Sequence, residues 1–253
     1  MIRTARLLLA ATTLFPLALL AQGTEPVNRL QVSAEHNRLD RGYRDWREVT
    51  VRYSREWERR ELAQVALTQA RRFGETDRQL EALYVRPLRP RLTASARLSF
   101  SPDHRFLPRH DVEVGAQHEF MPAWLLHARL RHARYQTASV DQATLMLERY
   151  AGDYSASLAW RPVRALGTKA DGFELRGNRY YGDNSYIGLI ASSGREATPV
   201  GAGAIELAAV RSVALVGRHR LGPGWSLSYA LSRTRQGSFY SRTGLSAGVQ
   251  HNF

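Results

Sequence analysis

The chain has 253 residues, 36 of them Lys or Arg and 23 Asp or Glu, for a formal net charge of +13, and it contains no cysteine. Without cysteine there is no disulfide staple, thiol nucleophile or thiolate metal site. A mean hydropathy of −0.39 rules out a bundle of membrane helices, while so positive a charge calls for a polyanionic partner.

Residues 1–23 read as an export signal. Arg3 and Arg6 form a basic start, Leu7 to Leu20 an apolar stretch broken by Pro16, and Ala21-Gln22-Gly23 supplies small residues for cleavage after Gly23 or Ala21. The apolar stretch falls short of the roughly 20 residues that a spanning helix needs. The expected division is a signal peptide at 1–23 and a mature domain at 24–253. Export sets nucleic acid aside as the polyanion, leaving the phosphates of outer-leaflet lipopolysaccharide or an acidic polysaccharide.

From Leu30 onward, period two dominates. In Trp46 to Glu58, Val49, Val51, Tyr53 and Trp57 share one face while Glu48, Thr50, Arg52, Ser54 and Glu56 share the other. Arg91 to Phe100 repeats the form, with Leu92, Ala94, Ala96, Leu98 and Phe100 on the apolar face. The most apolar stretch, Val200 to Gly217, still contains Glu206 and Arg211 and is no membrane helix. Trp225 to Arg235 alternates again. So does Tyr240 to Phe253, where Leu245, Ala247, Val249 and Phe253 share a face, and a strand there leaves no bare edge if it pairs with the first strand.

Fourteen such segments can be marked, and twelve is the alternative count, because Leu30 to His36 and Asn184 to Ala191 carry the weakest pattern. Short turns fall at Glu58-Arg59-Arg60, Arg86 to Pro90, Met121-Pro122, Ala151-Gly152-Asp153, Gly182-Asp183-Asn184 and Gly222-Pro223-Gly224. Between them lie connections read as longer: Asn37 to Asp45, Ser101 to Arg109, Pro162 to Ala170 and Gly194 to Ala209. That alternation is expected of short periplasmic turns and longer extracellular loops. Trp46, Trp57, Phe73, Phe120, Trp124, Tyr135, Tyr150, Trp160, Tyr181, Trp225 and Phe253 fall near strand ends, as in an interfacial girdle. The fold expected is all-β: a transmembrane antiparallel up-and-down barrel of the bacterial outer membrane.

The runs RRFGETDRQLEALYVRPL (Arg71 to Leu88), SPDHRFLPRHDVEVG (Ser101 to Gly115), YQTASVDQATLMLERYAGDYSASLAWRP (Tyr135 to Pro162) and NRYYGDNSYIGLIASSGRE (Asn178 to Glu196) resemble, in order and spacing, the YaiO-type outer-membrane β-barrel family. The resemblance implies a barrel domain of poorly defined role, with no catalytic residues to carry over. It also implies a link, by analogy only, to polysaccharide-related modules. The terminal Phe253 resembles the signal by which the barrel-assembly machinery recognises outer-membrane barrels.

Alternation points Arg52, Arg97, Arg129, Arg131, Arg161, Arg176, Arg218 and Arg220 into the lumen, together with Glu48, Glu56, Glu81, Glu113, Glu119, Glu148 and Glu174. Near-equal numbers favour a mutually paired interior over a selective pore lined by one sign of charge. Excess positive charge then belongs at the rims. Arg71, Arg72, Arg105, Arg109, Lys169 and Arg195 are the candidates to meet lipopolysaccharide phosphates. Ser101 and His104, near Asp103, His110 and Asp111, are weak candidates for an activated hydroxyl, but a structural loop is the simpler reading. The histidines show no ligand spacing, so neither metal nor cofactor is expected. The leading function is a narrow or plugged passive channel or structural barrel; polysaccharide export and lipid modification are the alternatives.

Overall fold

The computed structural model describes residues 26–58, 60–72, 74–182, 184–199 and 205–253. The export signal at 1–23, the girdle residue Phe73, Arg59 and Asp183 of the turns, and positions 200–204 lie outside the described residues.

Among the described residues, fourteen strands follow one another. The first seven are β1 (Val27–Leu39), β2 (Trp46–Glu58), β3 (Glu61–Arg72), β4 (Glu75–Arg89), β5 (Leu92–Phe100), β6 (His110–Met121) and β7 (Trp124–Arg134). The others are β8 (Ser139–Ala151), β9 (Tyr154–Ala165), β10 (Thr168–Tyr181), β11 (Ser185–Pro199), β12 (Ile205–Gly222), β13 (Trp225–Gln236) and β14 (Tyr240–Asn252). Each pairs antiparallel with the next. β1 pairs with β14, in a register running from Arg29 opposite Asn252 to Leu39 opposite Arg242, which closes the barrel. The segments with the weakest pattern, Leu30 to His36 and Asn184 to Ala191, lie within β1 and β11, so fourteen is the count and twelve is not.

The outer face is apolar where a soluble protein could not leave it so. Leu67 and Leu130 are each 63% exposed, Leu189 60%, Leu175 58% and Leu158 56%, and together they form a belt around the wall. An apolar patch of that extent belongs in lipid. Among the described residues no helix is long and apolar enough to cross a membrane, and in a closed barrel every backbone group of the wall finds its partner in the neighbouring strand. Trp57, Phe120, Trp124, Tyr181 and Trp225 face outward at the short-turn end, as a girdle should. Trp46, Tyr135 and Tyr150, expected in the same girdle, face inward instead; Trp46 and Tyr135 are buried.

Several connections differ from their sequence reading. Pro162 to Ala170 is no long loop: β9 runs to Ala165 and β10 starts at Thr168, joined at Leu166-Gly167 with φ of 48° and 74°. Two positive φ angles mark the tight hairpin turn whose twist matches that of the strands. Likewise, β11 and β12 take up most of Gly194 to Ala209. Arg86 to Pro90 is not a turn either, since β4 continues to Arg89 with a register shift between Pro87 and Arg89, where proline is tolerated. At Pro162 to Ala170 the strands outlast their apolar alternation because the outward positions Arg164, Lys169 and Asp171 are polar. The longer connections that remain, at 40–45 and 101–109, gather at the end opposite the short turns, which makes that end extracellular.

Candidate functional site: the charged lumen and its mouth

Inward positions of β4 to β7 carry a chain of alternating charge. Arg97 on β5 lies directly opposite Glu113 on β6; its guanidinium is 3.2 Å from Glu113 and 3.5 Å from Glu81 on β4. Arg129 on β7 reaches the other oxygen of Glu113 at 4.0 Å. It leans across Gly115, the residue opposite it, where an added Cβ would come within 2.9 Å of Arg129 Cγ. Glycine at 115 is therefore what lets this arginine turn toward its carboxylate.

On the adjoining wall, Arg161 and Arg176 share Glu174, at 2.9 Å and 3.7 Å. Arg131 holds Asp111 through two nitrogens, its Nε 2.9 Å and 3.0 Å from the two carboxylate oxygens. Glu148 meets His127 at 3.0 Å, Glu48 meets Arg72 at 3.0 Å, and Glu56 meets Arg29. A carboxylate inside a protein is stable only when so partnered. The wall formed by β12 to β14 and β1 is different. There Arg218 donates to Ser226, and Arg52 of β2 donates to Gln31 of β1; Glu35 accepts from Asn37, and Ser, Thr, Gln and Gly alternate with small apolar residues such as Ala214, Val216 and Ala230 over much of the rest. Arg220 and Glu119 lie near the short turns, donating to Gly222 O and accepting from Ala123 N.

At the extracellular end the 101–109 loop folds inward. Its base is closed by a bond from Ser101 N to Arg109 O. Phe106 and Leu107 are 2% and 3% exposed and pack on Ala70 of the inner wall. Their two backbone N–H groups donate to one oxygen of Asp77, each at 2.8 Å, and Asp77 is itself fully buried. Arg72 stacks over Phe106 and over Trp46, 5.2 Å and 5.1 Å from the ring centroids, and Arg242 lies over the same indole at 5.2 Å. Leu39, Trp46 and Tyr240 form a second inward apolar cluster, and Tyr135, Ala133, Val140 and Ala165 a third. The lumen thus has a charged middle and a greasy outer mouth.

The remaining sequence candidates fall as follows. Arg72 does not face lipopolysaccharide: it is 3% exposed and shares the inward parity of Ala66 and Ala70. Arg105 is paired, 3.2 Å from Glu75, and serves to pin the loop. Arg71, Lys169 and Arg195 are exposed on the outer face near the loops, and Arg109 is exposed in the loop itself. Ser101 and His104 are not joined. Ser101 Oγ is buried without a hydrogen-bond partner, His104 Nδ1 lies 2.8 Å from the Pro102 carbonyl, and Asp111 is occupied by Arg131. Among the described residues no group of three His, Asp or Glu could hold a metal. Phe253 exchanges two backbone hydrogen bonds with Asn28, at 3.0 Å and 2.9 Å, beside the β1–β14 seam.

Sequence reasoning missed Arg29, Asp77 and His127 as lumen residues, although Asp77 shares parity with Glu81 and His127 with Arg129. It also missed an arc of tyrosines. Tyr150 stacks on Tyr180 with centroids 6.2 Å apart, and Tyr180 lies 6.0 Å from Tyr186 directly across the β10–β11 ladder. Ser155 Oγ and Asn178 extend this inward polar and aromatic surface, with Ser155 Oγ 3.1 Å from the Tyr180 hydroxyl.

A closed antiparallel barrel with an apolar belt, an interfacial girdle and a polar interior defines a bacterial outer-membrane β-barrel protein, and the outer membrane is its location. The chain belongs to the YaiO membrane β-barrel family, whose domain matches residues 27–198. No curated protein matches it. Among solved structures, the CymD monoaromatic hydrocarbon channel is similar with a TM-score of 0.62 and 8% identity over 89% of this chain and 87% of that one. A bacterial polysaccharide outer membrane secretin gives 0.57 and 9% over 89% and 97%. Omp33 of Acinetobacter baumannii gives 0.55 and 12% over 92% and 100%. Such likenesses are of fold.

Proposed function

We propose that this protein is a narrow passive channel whose lumen is close to electrically neutral. The observation that carries the reading is the charge chain on β4 to β7 and on β9 and β10: Glu81, Glu113 and Glu174 each lie within 4.0 Å of an arginine. A wall so neutralised admits small polar solutes with little preference for either sign. Planar-bilayer conductance of the refolded barrel under a salt gradient tests this. Small, steady steps with weak selectivity are expected. Strong anion preference would overturn the pairing, and silence would leave a purely structural barrel.

The tyrosine arc favours a second reading, passage of a polysaccharide, because sugar rings stack on exposed aromatic faces. Blockade of single-channel current by added oligosaccharide, lost on exchanging Tyr180 for Ala, would support it over the first. Neither reading gives Ser101 or His104 a catalytic role, so replacing either by Ala should leave outer-membrane lipid profiles unchanged. The seam between β1 and β14, with Phe253 exposed beside it, is the surface we assign to the barrel-assembly machinery.

A further inference from the structure

Outside the barrel, register and charge combine at one end only. Toward the loops, cations face each other directly across neighbouring strands at three places: Arg47 opposite Arg71 on β2 and β3, Arg164 opposite Lys169 on β9 and β10, and Arg211 opposite Arg235 on β12 and β13. All six are exposed on the outer face. Among the described residues, none of the six forms an ion pair; Asp141 lies opposite Arg164 on its other side, but its carboxylate is held by His132 at 2.7 Å.

Like charges directly opposite in an antiparallel ladder destabilise it, so one such placement is a liability and three at the same level point to a missing counter-charge. The other end of the wall shows that this is not a general habit of the chain. There, outward Arg55 and Arg149 lie over Trp57 and Trp124, at 5.7 Å and 5.0 Å, and neither faces another cation across the ladder. The level is also specific. Val49 and Val213 are lipid-facing, and Arg47 and Arg211 are the next outward positions, about 7 Å further along the strand, where the apolar phase gives way to headgroups.

We propose that each of these three pairs is a binding site for a phosphate of lipopolysaccharide in the outer leaflet. Two forked or flexible cations flanking one dianionic group supply charge-assisted hydrogen bonds from both sides and turn the repulsion into attraction. The site is independent of what the lumen conducts.

The test uses the full barrel refolded in a zwitterionic detergent and titrated with purified lipopolysaccharide. The triple variant Arg71→Gln, Lys169→Gln, Arg235→Gln removes one cation from each pair. A control, Arg55→Gln, Arg86→Gln, Arg179→Gln, removes the same charge from the other end. The first should bind on the order of tenfold more weakly and the control like the parent. Lipopolysaccharide stripped of phosphate should bind the parent as weakly as the triple variant does. A second variant, Arg71→Glu, Lys169→Glu, Arg235→Glu, gives each remaining cation an internal partner. It should melt at least as high as the parent in phosphate-free detergent while losing lipopolysaccharide binding, which separates binding from folding. Equal weakening in the control, unchanged binding in both triple variants, or equal binding of phosphatidylglycerol at matched charge would each overturn the proposal.

Discussion

Replacing Asp77 by Ala should release the 101–109 loop from the mouth while leaving the barrel folded. The carboxylate accepts two buried backbone N–H groups at 2.8 Å. Without it, a docked loop leaves both unsatisfied, at about 1–3 kcal/mol each. Burying the Phe106 and Leu107 side chains contributes about 4 kcal/mol in the other direction, so the two arrangements become comparable in energy. A shift of about 4 kcal/mol in the docking equilibrium is a factor of about 1,000 in the undocked population. Trypsin reads it directly, because Arg105 and Arg109 lie in the loop and the barrel wall resists cleavage. Cleavage at these two sites should therefore speed up by about that factor, with heat-modifiable migration on gels unchanged. Asp77→Asn keeps one neutral acceptor and should fall between. Cleavage of Asp77→Ala no faster than the parent, or global loss of the barrel instead of local release, would refute the reasoning.

Two further outcomes follow from the wall. Arg97→Gln leaves Glu81 and Glu113 without their shared cation; since both keep some solvent contact, urea unfolding in vesicles should show a loss of about 2 kcal/mol, at the low end for a broken buried pair, together with a drift toward cation selectivity. Adding Glu113→Gln should recover at least half of that loss, and an Arg97→Gln protein as stable as its parent would contradict the network. Leu158, near the middle of β9 and 56% exposed, should tolerate Arg poorly, losing about 2–4 kcal/mol in a bilayer as expected at the midplane; no loss there would mean that this face does not meet lipid.

What the sequence made legible is what period two controls. Val49, Val51 and Tyr53 against Glu48, Arg52 and Glu56 announce a strand and its two faces, and the same parity places Arg97 with Glu113 because both sit on the polar side of their strands. The misreadings come from places where parity was not followed or does not apply. Nearness to a turn suggests a rim position for Arg72, whereas its spacing from Ala70 and Ala66 puts it inside. Strand ends beyond the lipid belt read as loops because polar residues such as Lys169 and Arg195 erase the alternation while the ladder continues. Nothing periodic in Ser101 to Arg109 says that it turns inward; that depends on Asp77, which lies on another strand, and on the burial of Phe106 and Leu107 together. The tyrosine arc was hidden similarly, since Tyr150, Tyr180 and Tyr186 come together only through the pairing order.

The seam between β1 and β14 separates this fold from every architecture that can be assembled piecemeal. Thirteen of the ladders join strands adjacent in sequence, and each could form as a hairpin; the fourteenth joins residues from opposite ends of the barrel sequence and gains nothing locally before the others exist. Until it zips, two rows of unpaired peptide groups face hydrocarbon, a state that a bilayer does not tolerate, and loop-closure entropy makes that step slow. Biogenesis is therefore all-or-none. A nascent wall has to be sheltered along its open lips until the last strand arrives, and a lesion in either seam strand should lower the yield of finished barrels more than the stability of those that finish.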